Sequence, residues 1–457
     1  MAPVPTLRTP AARPNNVLRG SIVTLLYRVT GTIFGMLVSV ITARALNVSD
    51  LGVYYSTIVV VQAMGAVAAS FASSTGFFVS KRGRPAGEVA SNSLILSLML
   101  GGTLFLVSLV IVFFYRGDQQ AAILLAGFAL LPIIARTALG GVSLGTHSLW
   151  PYNFSIHGPN YVNVVLLIGW VTLLKDHSST GALITWVIAQ YVSLFALAAM
   201  NRDWWGWLTT HRPDPALMRA LISFGAVIGI AGFISYFNYR IDLLLVTWLD
   251  STEGAGIYSR AVTLAEALWL VSTSIAIAGF ASVGSLSRHE AAILTATGVR
   301  HTLLIVSLGA IATFIAAPYL IEILFGSRYT AGTESLRILC VGTALFAPQS
   351  ILANYFTVQM ARPSLSMAVA GTSCVLNVVV STLLIPRFGY VGGAWATTIS
   401  YAAVGVLSVA IFLRNSDVHF NDLWRIRGTD LRAYIRLFQS IREHPAFARL
   451  LRTGHGA

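Results

Sequence analysis

Only two lysines, Lys81 and Lys175, occur in 457 residues. Neither follows a Gly-x-x-x-x-Gly run or precedes Ser or Thr, so the chain has no Walker loop and is not its own P-loop ATPase. Cysteine is nearly as scarce. Cys340 and Cys374 both lie in apolar segments and read as packed side chains, not as a disulfide or a metal pair. The nine histidines show no His-x-x-x-His spacing, and there is no Cys-x-x-Cys, so no metal and no cofactor are expected. Charged residues make up only 10% of the chain, against about 25% in soluble domains. That shortage excludes an ordinary soluble enzyme, and no nucleic-acid partner is expected.

What is there is apolar: 56% of residues, with a mean hydropathy of +0.74. A membrane-crossing helix needs about 20 such residues. Twelve runs qualify, near 21–43, 52–79, 91–115, 121–146, 152–174 and 181–200, then 218–248, 256–284, 301–324, 335–360, 364–385 and 390–413. The chain therefore reads as an all-α polytopic membrane protein. Its expected parts are an N-terminal segment 1–20, a first lobe 21–200, an interfacial linker 201–217, a second lobe 218–413 and a tail 414–457. The first apolar stretch is too long for a signal-peptide core, and a second follows at once, so it reads as an uncleaved helix.

Net charge is +13, nearly all from arginine. Twelve of the thirty basic residues fall in the N-terminal segment and the even-numbered loops, five in the odd-numbered loops and eight in the tail. The excess of positive charge predicts that both termini are cytoplasmic. The linker carries Trp204, Trp205 and Trp207 beside Arg202 and Arg212, a composition suited to the headgroup level. In the tail, Leu431, Tyr434, Ile435, Phe438 and Ile441 share one helical face and Arg432, Arg436 and Arg442 the rest, which predicts a basic amphipathic helix on an anionic leaflet.

Five arginines remain, all inside apolar runs: Arg28, Arg136, Arg240, Arg260 and Arg337. A guanidinium in hydrocarbon costs at least about 3 kcal/mol, so each must reach protein, water or an anion. Arg337 is near a span end and reads as snorkelling. Asp242 and Arg260 read either as an ion pair clamping one hairpin or as substrate contacts. Glu266 is a candidate for coupling to a proton or cation, or else a satisfied acid.

The two halves echo each other. Asp50-Leu51-Gly52-Val53-Tyr54-Tyr55-Ser56 between spans one and two matches Glu253-Gly254-Ala255-Gly256-Ile257-Tyr258-Ser259 between spans seven and eight, with Gly52 and Gly256 204 residues apart. Pro132 matches Pro348, and Asn163 matches Asn377. Two six-helix lobes in the same starting orientation imply a parallel repeat around a central cavity. Three stretches carry a family likeness: Ala43-Arg44-Ala45-Leu46 with the motif after it, Asp242-Leu243-Leu244-Leu245 with Gly256 to Ala261, and Asn377 with Leu384 to Thr397. On these the chain resembles the polysaccharide-transporter branch of the multidrug/oligosaccharidyl-lipid/polysaccharide flippase superfamily, over roughly residues 17–413.

The resemblance implies outward movement of undecaprenyl-pyrophosphate-linked oligosaccharide repeat units across a bacterial inner membrane, with lipid as environment and a polymerase and glycosyltransferases as possible partners. It also implies cavity arginines. The related lipid II flippases draw them from helices one, two and eight. Arg28 and Arg260 match the first and last, whereas span two offers only Gln62. Arg28, Arg136, Arg240 and Arg260 are the expected pyrophosphate contacts, and arginine suits that group through planar bidentate bonds. An ion-coupled drug antiporter is the alternative, but spans one to six hold no acid at depth. A major-facilitator carrier has only Lys81-Arg82-Gly83-Arg84 in its favour. A polymerase or ligase needs a large outer loop, which is missing, and a non-transporting scaffold stays open on sequence alone.

Overall fold

A computed structural model describes residues 14–114, 117–204, 206–207, 212–270, 272–276 and 286–425. Among them there is no β-strand. The first half holds α1 (Pro14–Ala45), α2 (Val48–Ser80), α3 (Ala86–Phe114), α4 (Gln120–Gly145), α5 (Leu149–Gly169, extended by a π turn at Trp170–Leu174) and α6 (Ser179–Met200). The second holds α7 (Pro215–Leu249), α8 (Thr252–Ala267), α9 (Arg288–Phe325), α10 (Thr333–Phe346), α11 (Gln349–Asn354, extended by a π turn at Tyr355–Gln359), α12 (Pro363–Arg414) and the short α13 (Phe420–Trp424).

The helix ends follow from local chemistry. Asn47 caps α2 by accepting from the Asp50 amide at 2.8 Å, and Ser178 caps α6 by accepting from the Gly181 amide. Asp214 accepts from the amides of Ala216 and Leu217, with Pro215 opening α7. Ten described helices are long and apolar enough to cross a membrane, one of them being α12, which breaks into two arms at Gly389 (φ 56°). The expected eighth span, 256–284, lies partly outside the described residues, and α8 itself has 16 residues. α1 is helical from Pro14 and α9 from Arg288, both earlier than their apolar runs begin. Residues 1–13, the predicted tail helix beyond Arg425 and Trp205 of the linker lie outside the described residues.

The chain divides into two compact units. The first comprises residues 1–265, 313–340 and 370–400. Its helices approach closely through small residues: a Cβ on Gly141 of α4 would sit 2.2 Å from the Ala72 carbonyl oxygen of α2. Thr75 donates across the same seam to the Ala138 carbonyl at 2.9 Å. α2 also packs along α7, with Phe77 stacked on Phe224 at 4.5 Å. The second unit comprises 266–312, 341–369 and 401–457. Its core gathers Val299, Leu352, Tyr355, Phe356 and Phe412, and α13 docks there through buried Leu423. Arg300 donates to the Asp422 carbonyl at 2.8 Å to hold α13 in place.

Candidate functional site

α1 organises the site, because its three faces differ. One face meets α5: Asn153 donates to Thr24, Tyr161 and Thr30 share a hydrogen bond of 2.8 Å, and the His157 ring lies where a Gly31 Cβ would be. A second face is an exposed apolar stripe, Leu26, Val29, Ile33 and Leu37, at the spacing of a lipid-facing surface. The third carries Arg28, Thr32 and Ser39, a polar lane on the remaining side. Arg28 is exposed and within electrostatic reach of His157. Eleven residues at 1.5 Å each put Ser39 about 16 Å further along the lane.

Arg260 waits at that far end. Its side chain is the largest that is fully buried among the described residues, at 0% exposure. Nη1 donates to both the carbonyl and the hydroxyl of Ser39, and Nε donates to the Ser259 hydroxyl at 3.3 Å. The guanidinium lies 4.0 Å from the Tyr55 ring centroid on α2 and 5.2 Å from that of Phe325 on α9. Nη2 has no hydrogen-bond partner, and among the described residues no carboxylate pairs with Arg260.

The place is sealed by a helix crossing. A Cβ on Gly52 would stand 1.8 Å from the Thr252 carbonyl oxygen, and one on Gly256 would stand 2.1 Å from that of Val48. Each glycine of the repeated motif therefore lets the start of the opposite helix through. Ser49 and Thr252 share a hydrogen bond of 2.9 Å across the crossing. Arg44 donates to the carbonyls of Ile323 and Leu324 at the end of α9, and Arg328 returns a bond to the Arg44 carbonyl.

The Asp242–Arg260 clamp does not form. Asp242 is buried and accepts from the Tyr258 hydroxyl at 2.6 Å, the Thr397 hydroxyl at 3.0 Å and the Leu243 amide at 2.8 Å. Asn377 joins by donating to Thr397, and Ser381 donates to Asn377. The reason is helical geometry. Arg260 lies two residues beyond Tyr258, about 200° around α8, so the two side chains leave the helix in nearly opposite directions. The cation near Asp242 is half-buried Arg240.

The other predicted residues stand apart. Arg136 of α4 donates to Gln190 of α6 at 3.2 Å, while its buried Nε has no partner. Arg337 donates to the Phe314 carbonyl and lies 5.4 Å from that residue's ring centroid. Glu266 is half-buried on α8 and belongs to the second unit. Gln62 of α2 accepts from the Tyr236 hydroxyl of α7. Sequence reasoning missed Ser39, Tyr55, Tyr258 and Thr397 as partners. Of these, Tyr55 and Tyr258 stood in the repeated motif and Thr397 closed the third family stretch, whereas Ser39 carried no signal.

The chain is similar to known membrane proteins over most of its length. A probable low-salt glycan biosynthesis flippase, Agl15 of Haloferax volcanii, is 25% identical over 387 residues, 80% of this chain and 77% of that protein. The uncharacterized membrane protein YabM of Bacillus subtilis is 24% identical over 324 residues, 65% of this chain and 60% of its own length. Among solved structures, the lipid II flippase MurJ in an inward closed conformation superposes with a TM-score of 0.70 at 15% identity, covering 88% of this chain and 89% of that one. An inward-facing multidrug MATE transporter gives 0.67 at 15% identity, covering 84% and 94%. The likenesses agree on a transporter fold, not an enzyme. Residues 17–280, more than half the sequence, match the family described as polysaccharide biosynthesis protein, and the chain belongs to that family.

Proposed function

We propose that this protein flips undecaprenyl-pyrophosphate-linked oligosaccharide repeat units from the cytoplasmic to the outer leaflet of a bacterial inner membrane, for surface polysaccharide such as O-antigen or exopolysaccharide. The observation that carries the reading is the polar lane of α1, with a guanidinium at each end and, among the described residues, no acid paired with either. Each sugar hydroxyl stripped of water costs roughly a few kcal/mol, so the head group needs a wet polar path while its tail stays in lipid. The pyrophosphate needs cations without competing carboxylates, and Arg28 and Arg260 meet that need. The names of Agl15 and MurJ, both flippases, support the same chemistry.

With the even-numbered loops in the cytoplasm, Arg28 meets the substrate first and Arg260 last. Arg260 is sealed while the Gly52–Gly256 crossing is shut, so opening of that crossing is the release step of an alternating-access cycle. Arg240 and Arg136 are weaker contacts in this reading. The driving force is electrical in part: an anion leaving a negative interior gains about 2.3 kcal/mol per charge per 100 mV. Asp242, held by hydroxyls that can give up their bonds, is the candidate for coupling to a proton or small cation, and Glu266 is the second. A polymerase and glycosyltransferases would consume and supply the substrate.

The test is export of surface polysaccharide in cells carrying Arg28→Ala or Arg260→Ala. Each should abolish export with protein level near normal, and the Lys variants should restore only part of it. Normal polysaccharide in both Ala strains would end the proposal.

A further inference from the structure

α5 brings one more ionisable group to the Arg28 end of the polar lane. His157 stands on the α1-facing side of α5, one turn from Asn153 and one turn from Tyr161, which bond Thr24 and Thr30 of α1. Gly31 makes room for it. A Cβ there would overlap Nδ1, Cγ and Cε1 of the imidazole, so the ring rests on bare α1 backbone with Nε2 on the side turned away. Gly31 lies one turn from Arg28. The ring and the guanidinium therefore stand side by side across the seam, within electrostatic reach of each other.

His157 is half-buried and makes no hydrogen bond to another described residue. The charged group that faces it from α1 is Arg28, with the Tyr27 and Tyr161 hydroxyls at the same seam. Among the described residues, α4 and α6 bring no ionisable group to it, and no carboxylate pairs with His157 or Arg28. Two groups that can both be cationic, adjacent and without an acid between them, suit an anion that joins them. We propose that His157 is the second pyrophosphate contact: Arg28 takes one phosphoryl group and the imidazole the next, and protonation of the ring sets how firmly the pair is held. This rests on the flippase reading. A neutral imidazole offers one N–H donor and one acceptor nitrogen, whereas the protonated ring offers two donors and a charge. Free imidazole side chains titrate at about pH 6.5, and an anion beside one favours the charged form.

The test is retention of two lipids by the full chain in nanodiscs, undecaprenyl-pyrophosphoryl-N-acetylglucosamine and its monophosphate-linked counterpart, at about pH 6 and about pH 8. Each phosphorus in both lipids carries a single acidic oxygen that is ionised at both values, so a change between them belongs to the protein. Preference for the pyrophosphate lipid should rise about tenfold from the higher pH to the lower, the ratio supplied when one hydrogen bond becomes charge-assisted. His157→Gln should hold the preference at its weaker level throughout, and His157→Lys at its stronger level. Gly31→Ala, which keeps the imidazole but moves it off α1, should also cut the preference at the lower pH. A native preference equal at both pH values, or a pH dependence that survives His157→Gln, overturns the inference and leaves the flippase reading standing. Failure of the native chain to retain the pyrophosphate lipid at either pH overturns both.

Discussion

The two halves share a skeleton and differ in charge. Gly52 and Gly256 do the same work at the same place, each clearing the carbonyl of the opposite helix. In the same register, Tyr54 matches Tyr258, but Val38 stands where the second half has Asp242, and Ser56 where it has Arg260. Tyr258 therefore holds a buried carboxylate, whereas Tyr54 has Asn163 for a neighbour and no acid. A second register, the 214 residues between Asn163 and Asn377, also links Lys175 to Gly389, and these two have nearly the same φ, 53° and 56°. The scaffold was kept through the repeat, and the ionisable groups were placed in one half at a time. What is duplicated builds the crossing; what is not is the buried charge of Asp242 and Arg260.

The largest test of that division is at the crossing. Gly52→Val and Gly256→Val should each prevent closure, at a cost above the usual 1–3 kcal/mol of overpacking, since the obstacle is backbone. Cysteines at Ser49 and Thr252 should cross-link readily in the native background and not in either valine variant. A valine tolerated on one side only would break the equivalence. Next come the tyrosines. Tyr258→Phe removes a bond to a carboxylate and should destabilise by about 1.5–3 kcal/mol, while Tyr54→Phe should fall within about 0.5 kcal/mol of native, both read by thermal unfolding in detergent.

The loop pair is smaller and subtler. Lys175 has ψ 25°, the left-handed helical region, so Lys175→Gly should gain up to about 1 kcal/mol. Gly389 has ψ −146°, a region open to glycine alone, so Gly389→Ala should lose about 1–3 kcal/mol. The smallest effect concerns Asp176, next to Lys175. Burial pushes its carboxyl up, but bonds from the Ser178 amide and hydroxyl, the Trp170 indole and the His177 backbone outweigh that and hold it below the usual range. A carboxyl depressed in the folded state stabilises above its unfolded value and loses that contribution as pH falls through the folded one. Below about pH 4 the native chain should lose stability slightly faster than Asp176→Asn.

The spans were legible because hydrocarbon demands long apolar runs, and the crossing was legible because two glycines recur in matching motifs. Partners were not. Ser39 reaches Arg260 across 221 residues, and Thr397 reaches Asp242 across 155. No local pattern encodes such meetings. The ion-pair expectation failed for a related reason: nearness in sequence and opposite sign suggested a bond that the turn of α8 forbids. Arg28 is exposed, whereas Arg260 is fully buried.

Arg136 has a consequence of its own. It sits inside α4 with Gln190 for company and no acid among the described residues. The first half thus carries a standing positive field through its own interior. A cation reaching that part of α4 would meet the repulsion of this guanidinium.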